Sequence, residues 1–232
     1  MSRESQHELR RRAARLVTLL ANAYSDARTA LRFRNPFEAL IATILSAQCT
    51  DKQVNEVTEV LFRDYATPAA LADADPAAIE AIIRPTGFYR QKAKSIQSAA
   101  RDLAERFDDR VPAILDDLIS RRGVARKTAN VVLGNAFGIP GLAVDTHMQR
   151  VNRRLGLTRA EDPEQIERDL AALLPEREWT TLTNRVICLD DFRAGRLMVS
   201  APAQFMVSAP AAGSGRANTG QGARSSVKGA RR

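Results

Sequence analysis

The sequence predicts an all-α fold. Three observations carry that expectation: helical periodicity runs through most of the chain, cap residues followed by proline recur, and the period-two alternation of strands is nearly absent. From His7 to Tyr24, apolar residues at Leu9, Ala13, Leu16, Leu19, Leu20 and Tyr24 form a one-sided stripe. Asn35-Pro36-Phe37-Glu38 sets a cap, a first-turn proline and an acid in the order a helix start prefers, predicting helix to about Ser46. Thr50-Asp-Lys-Gln53 resembles a capping box and opens a helix to about Tyr65. Asp75-Pro76 and Asp162-Pro163 repeat the cap-then-proline pattern and start helices ending near Arg84 and Leu174. Gly87 closes one segment, and Gln91 to Phe107 is a further amphipathic stretch. Leu115 to Ile119 reads as a short helix, Arg121 to Ala125 as a break, and Arg126 to Phe137 as helix again. Asp145 is a candidate N-cap for a helix through Arg154. Short linkers join these segments, as in a compact helical protein.

At 232 residues the chain fits one large domain or two small ones, and either can bury a core. No apolar run approaches a membrane span, and the start, Met1 to Glu8, is too charged for a secretory signal, so a cytoplasmic protein is expected. Cys49 and Cys188 lie far apart without metal-type spacing, which fits reduced thiols. The net charge of +8 points toward nucleic acid. Residues 201–232 hold five basic residues and no acid, so taking these five from +8 leaves only +3 for residues 1–200. Local basic clusters therefore weigh more than the global charge. From about residue 203 the chain is rich in Ala, Gly, Ser, Pro and Arg, which reads as a disordered basic tail.

One such cluster surrounds Gly123. A tight turn opening a helix leaves backbone N–H groups unpaired at the helix N-terminus, an anion site to which Arg121, Arg122 and Arg126 add charge. A structural helical hairpin with an exposed basic loop fits the same residues. Lys127 lies in the first turn of the second helix, where the helix field disfavours a cation and so favours the neutral amine a nucleophile needs. A solvent-facing lysine in an arginine-rich turn is the plainer reading. Asp145 follows eighteen positions later, at another helix entrance. Capping alone would explain it. If the two helices pack side by side, its carboxylate can face the amine, stabilise a cationic sugar and assist proton transfer. His147 either lines the same cavity or bonds to backbone.

At these residues the chain resembles the endonuclease III family of bifunctional DNA glycosylases, in the helix-hairpin-helix superfamily. The resemblance runs from about residue 10 to about Ile187. It is carried by Leu45-Ser-Ala-Gln-Cys-Thr-Asp51, Pro85-Thr-Gly-Phe-Tyr89 with Lys92, Gly123-Val with Arg126-Lys-Thr-Ala-Asn-Val-Val132, and Val144-Asp-Thr-His147. It implies a two-lobed all-α fold with a cleft between the lobes. One lobe spans residues 30–140 and carries the hairpin; the other combines 1–29 with 141–199, leaving 200–232 as tail. It further implies a monomer that acts on double-stranded DNA containing damaged bases or abasic sites. An oxidised pyrimidine is flipped into the cleft. Lys127 attacks the deoxyribose C1′ and forms a Schiff base, and β-elimination nicks the strand 3′ to the lesion. Asp145 matches the catalytic carboxylate, Gln48 fills the gap left by the flipped base, and Phe88 wedges into the opposite strand. The hairpin residues Arg121, Arg122, Gly123, Ala125 and Arg126 are drawn to the DNA backbone, and Ser46, Asp51 and His147 to the base pocket. Lys127 also sets the chain apart from the related adenine-mismatch glycosylases, which usually carry another residue there.

Two departures stand out. The family usually reads Leu-Pro-Gly-Val-Gly-Arg-Lys where this chain has Arg121-Arg-Gly-Val-Ala-Arg-Lys127. If position 125 needs a positive φ, alanine costs on the order of 1 kcal/mol there. After Ile187 the family continues into four cysteines that hold a [4Fe–4S] cluster, whereas Cys188-Leu-Asp-Asp-Phe-Arg-Ala-Gly195 offers one, so no cofactor is expected. A catalytically weak helix-hairpin-helix DNA-binding protein is the alternative these departures leave.

Overall fold

In the computed structural model, which describes residues 4–120 and 123–193, side-chain caps decide where most helices begin. Helix α1 (Gln6–Ala23) starts at Ser5, whose hydroxyl accepts from Glu8 N while the Glu8 carboxylate accepts from Ser5 N. Asn35 caps α2 (Pro36–Leu45) and Thr50 caps α3 (Asp51–Asp64). The box expected at Thr50 is only half formed, because the Gln53 amide donates to Glu56. Thr67 caps α4 (Pro68–Ala72), a short helix with the same cap-then-proline start that the sequence reading passed over. Asp75 caps α5 (Pro76–Ile83), which tightens into a 3-10 turn over Arg84–Thr86 before Gly87 takes φ +68. Helix α6 (Tyr89–Arg106) begins two residues earlier than expected, entered through Phe88. Helices α7 (Leu115–Ile119), α8 (Arg126–Ala136), α9 (Thr146–Arg154) and α10 (Pro163–Leu173) start at the expected positions. A final helix, α11 (Trp179–Arg193), was not anticipated. There is no strand among the described residues, and none of their helices is long and apolar enough to cross a membrane. The residues expected to form a disordered tail lie outside the described ones.

Helix α2 is apolar on every face and correspondingly buried, with nine of its ten positions out of solvent. Around it a core cluster running from Leu31 to Leu133 gathers α3, α5, α6 and α8, with Leu40, Leu45, Leu61, Ile79 and Ile96 fully enclosed. Each such leucine or isoleucine stabilises the fold by roughly 1.5–3 kcal/mol. Ala13, Val17 and Leu20 of α1 are buried apart from that cluster, as are Met148 of α9, Ile166 of α10 and Leu182 and Val186 of α11. These four helices pack through α11 against α9 and α1, and through α1 against α10. Helix α8 joins the two groups, packing on α2 along one face and on α11 along another. The second contact is possible because position 134 is glycine: a Cβ there would lie 2.4 Å from Thr180 Oγ1.

Candidate active site at the mouths of two helices

A cavity of about 580 Å³ opens where the entrances of α3, α8 and α9 face α11. Its lining includes Ser46, Asp51, Lys127, Asp145 and His147, five of the residues picked out in the sequence. Lys127 is the second residue of α8, and Asp145 is the N-cap of α9. Their tips approach across the opening, with Lys127 Nζ 4.0 Å from Asp145 Oδ2. The lysine side chain is half exposed and the carboxylate only 12% exposed. Asp145 caps α9 and faces the amine at once. Its Oδ1 accepts from Met148 N at 2.9 Å, which caps α9, and its Oδ2 faces the amine.

The hairpin before Lys127 turns at Gly123, with φ +86, where an added Cβ would come within 3.0 Å of Ser95 Cβ. Ala125 stands at φ −78 and ψ 161, ordinary extended backbone. The strain considered for Ala125 is therefore absent, because the left-handed position in this turn is Gly123, which the chain retains. Arg126 does not stand free. Its guanidinium makes two parallel bonds to Glu167 of α10, at 2.9 and 3.0 Å. Arg121 and Arg122 lie outside the described residues.

Gln48 and Phe88 do not line the cavity. Gln48 is exposed in the loop between α2 and α3, and Phe88 is 70% exposed at the entrance of α6. Both hold left-handed backbone, at φ 52 and 48.

His147 lines the cavity as expected, and its Nδ1 bonds not to backbone but to a side chain, Asp190 of α11, at 2.8 Å. The same carboxylate accepts from Arg150 Nε at 3.0 Å and pairs with Arg150 Nη2. The Arg150 hydrogen bond, with that of His147, holds the Asp190 carboxyl at about 2, although burial opposes this. Asp51 shifts the other way: burial raises it, and the nearby Lys127 charge only partly offsets that. Sequence reasoning gave no role to Asp190, Arg150 or Asp191. Forty-three residues separate His147 from Asp190, and no local pattern links them.

His147, Asp190 and Asp191 bring donor atoms within 4.8 Å of one another, but the Arg150 cation already occupies Asp190, which opposes a metal ion there. An iron–sulfur cluster does not fit this chain. The sequence has two cysteines, and both Cys49 and Cys188 are part-buried in the lining of the cavity, so four clustered thiolates cannot be assembled.

Residues 41–176 match the HhH-GPD superfamily of base excision DNA repair proteins. Over 179 residues the chain is 49% identical to endonuclease III of Synechocystis sp., covering 77% of this chain and 82% of that protein. It is 40% identical over 169 residues to endonuclease III of Bacillus subtilis, covering 72% and 77%. Among solved structures, a trapped endonuclease III–DNA covalent intermediate superposes with a TM-score of 0.74 at 42% identity, covering 77% of this chain and 84% of that one. A thermostable thymine-DNA glycosylase at 21% identity shares the fold, with a TM-score of 0.67.

Proposed function

The chain belongs to the HhH-GPD superfamily and within it to the endonuclease III family of base excision repair DNA glycosylase/AP lyases, and we propose that Lys127 and Asp145 carry that activity. The single observation behind the assignment is the 4.0 Å approach of amine and carboxylate at the mouth of a cavity able to receive an everted base. In the proposed first step, the Lys127 nitrogen attacks C1′ of the flipped nucleotide. The N-glycosidic bond breaks with its electron pair going to the base, and Asp145 steadies the cationic sugar and accepts the amine proton. Ring opening leaves an iminium linkage between Lys127 and C1′. Loss of a proton from C2′ then expels the 3′ phosphate, nicking the strand. That a relative has been trapped as a covalent intermediate with DNA supports a covalent enzyme–DNA linkage here.

The substrates are oxidised pyrimidines in duplex DNA. Gln48 fills the vacated position and Phe88 wedges into the opposite strand, roles that suit two exposed side chains outside the cavity. Ser46, Asp51 and His147 contact the everted base, and the Gly123 turn with Ala125 meets the phosphates, with Arg126 beside it held back by Glu167. The hairpin lobe spans residues 30–140, which is supported by the extent of the core cluster, and the second lobe joins residues 1–29 to 141–199. The protein works as a cytoplasmic, nucleoid-associated monomer. Borohydride trapping on abasic-site DNA tests the assignment. The wild type is expected to give a covalent adduct that Lys127→Ala abolishes, whereas DNA binding without any adduct would leave a binding protein.

A further inference from the structure

We propose that Lys92 is the residue that locks the Gln48 and Phe88 loops in one register, so that both reach distorted DNA together. The proposal rests on reading those two side chains as gap filler and wedge. Lys92 lies in the first turn of α6 and is 5% exposed. Its Nζ donates to Leu45 O at 2.8 Å and to Thr86 O at 2.7 Å. Leu45 ends α2, three residues before Gln48, and Thr86 ends the 3-10 turn, two residues before Phe88. One ammonium group thus ties together the roots of two loops that are distant in sequence.

A buried ammonium group held only by neutral carbonyls is an expensive way to fill space. Burial accordingly pulls the Lys92 amine below the usual lysine range. An apolar side chain of similar length would pack without that penalty, but it could not donate to either carbonyl. The local backbone bonds hold each loop to its own helix: Cys49 N donates to Ser46 O, and Gly87 N to Arg84 O. The Lys92 bonds join one loop to the other. Both loop residues have left-handed backbone and exposed side chains, so their direction depends on how these roots are fixed. Lys127 sits on a different helix, α8, so loosening the clamp should weaken engagement of the lesion and spare the chemistry.

The test uses the full chain with duplexes that carry a tetrahydrofuran abasic analogue opposite 2-aminopurine. Wild type is compared with Lys92→Met, Lys92→Gln and Phe88→Ala. Lys92→Met should lose on the order of tenfold in preference for the analogue over undamaged duplex, together with most of the 2-aminopurine response. Lys92→Gln, which keeps a donor on a shorter side chain, should fall between. The single-turnover rate of borohydride-trapped adduct at saturating enzyme, on true abasic DNA, should stay at the wild-type value in both. Wild-type discrimination and response in Lys92→Met would overturn the clamp. So would equal loss of trapping rate and discrimination in both variants, which would make Lys92 a residue of the fold. If Phe88→Ala leaves the 2-aminopurine response intact, the wedge reading itself falls, and the clamp with it. If Phe88→Ala abolishes the response while Lys92→Met does not, the clamp alone falls.

Discussion

Lys127 and Asp145 meet tip to tip, 4.0 Å apart, although each stands in the entrance of a different helix. The carboxylate is held from behind by its own cap bond to Met148 N, so its direction does not depend on the lysine.

That division of labour can be separated by mutation. Asparagine caps a helix about as well as aspartate, so Asp145→Asn should leave thermal stability nearly unchanged while lowering single-turnover base release by roughly 10²-fold or more. Asp145→Ala removes the cap as well and should cost about 1 kcal/mol in a denaturant melt. Equal stability losses in the two variants would contradict this account of Asp145.

Asp190 makes a pH prediction whose sign is fixed. Its folded carboxyl sits at about 2 against an ordinary 3.8, so the unfolded chain takes up a proton first as acid is added. The stability it provides is complete above about pH 4 and is lost as the pH falls toward 2, about 2 kcal/mol in all. Urea melts of wild type and Asp190→Asn should differ most near neutrality and converge toward pH 2.

The turn before Lys127 yields a paired test. Gly123→Ala puts a Cβ into left-handed backbone and against Ser95, and should destabilise by about 1–2 kcal/mol. Ala125→Gly relieves nothing at φ −78, and should lower the melting temperature slightly by adding freedom to the unfolded chain. A gain in stability from Ala125→Gly would show that the site is strained after all.

Arg126 is tied to Glu167 by two bonds. Glu167→Ala should release the guanidinium toward phosphate, raise affinity for undamaged duplex, and steepen the plot of log K against log salt by up to about 0.9. An unchanged slope would mean that Arg126 does not reach the DNA backbone.

Much of this was legible in the sequence because it was local. The caps at Asn35, Thr50, Asp75, Asp145 and Asp162 set helix starts through bonds spanning two or three residues, and the bonds are where the spacing put them. Helix α11 was missed for a physical reason. Its buried positions, Leu182, Thr183, Val186, Leu189 and Asp190, do share one face, but two of them are polar while Ile187 and Cys188 lie off that face in the cavity lining, so no apolar stripe announces it. The long-range partners were equally hidden. Lys92 stood inside a recognised motif, but nothing in its neighbourhood foretells a bond to Leu45, and Asp190 is visible as a partner of His147 only once α11 lies beside α9. Ala125 was suspected of strain because the family pattern has glycine there; the backbone places the demand at Gly123 instead.

The left-handed backbone at Gln48 and Phe88 carries a consequence for anyone evolving this protein. Selection for heat tolerance alone should favour glycine at both positions, since glycine adopts that conformation without penalty. Such a winner would melt higher and yet lose the two side chains proposed to enter the double helix, so directed evolution here needs a repair readout in every round.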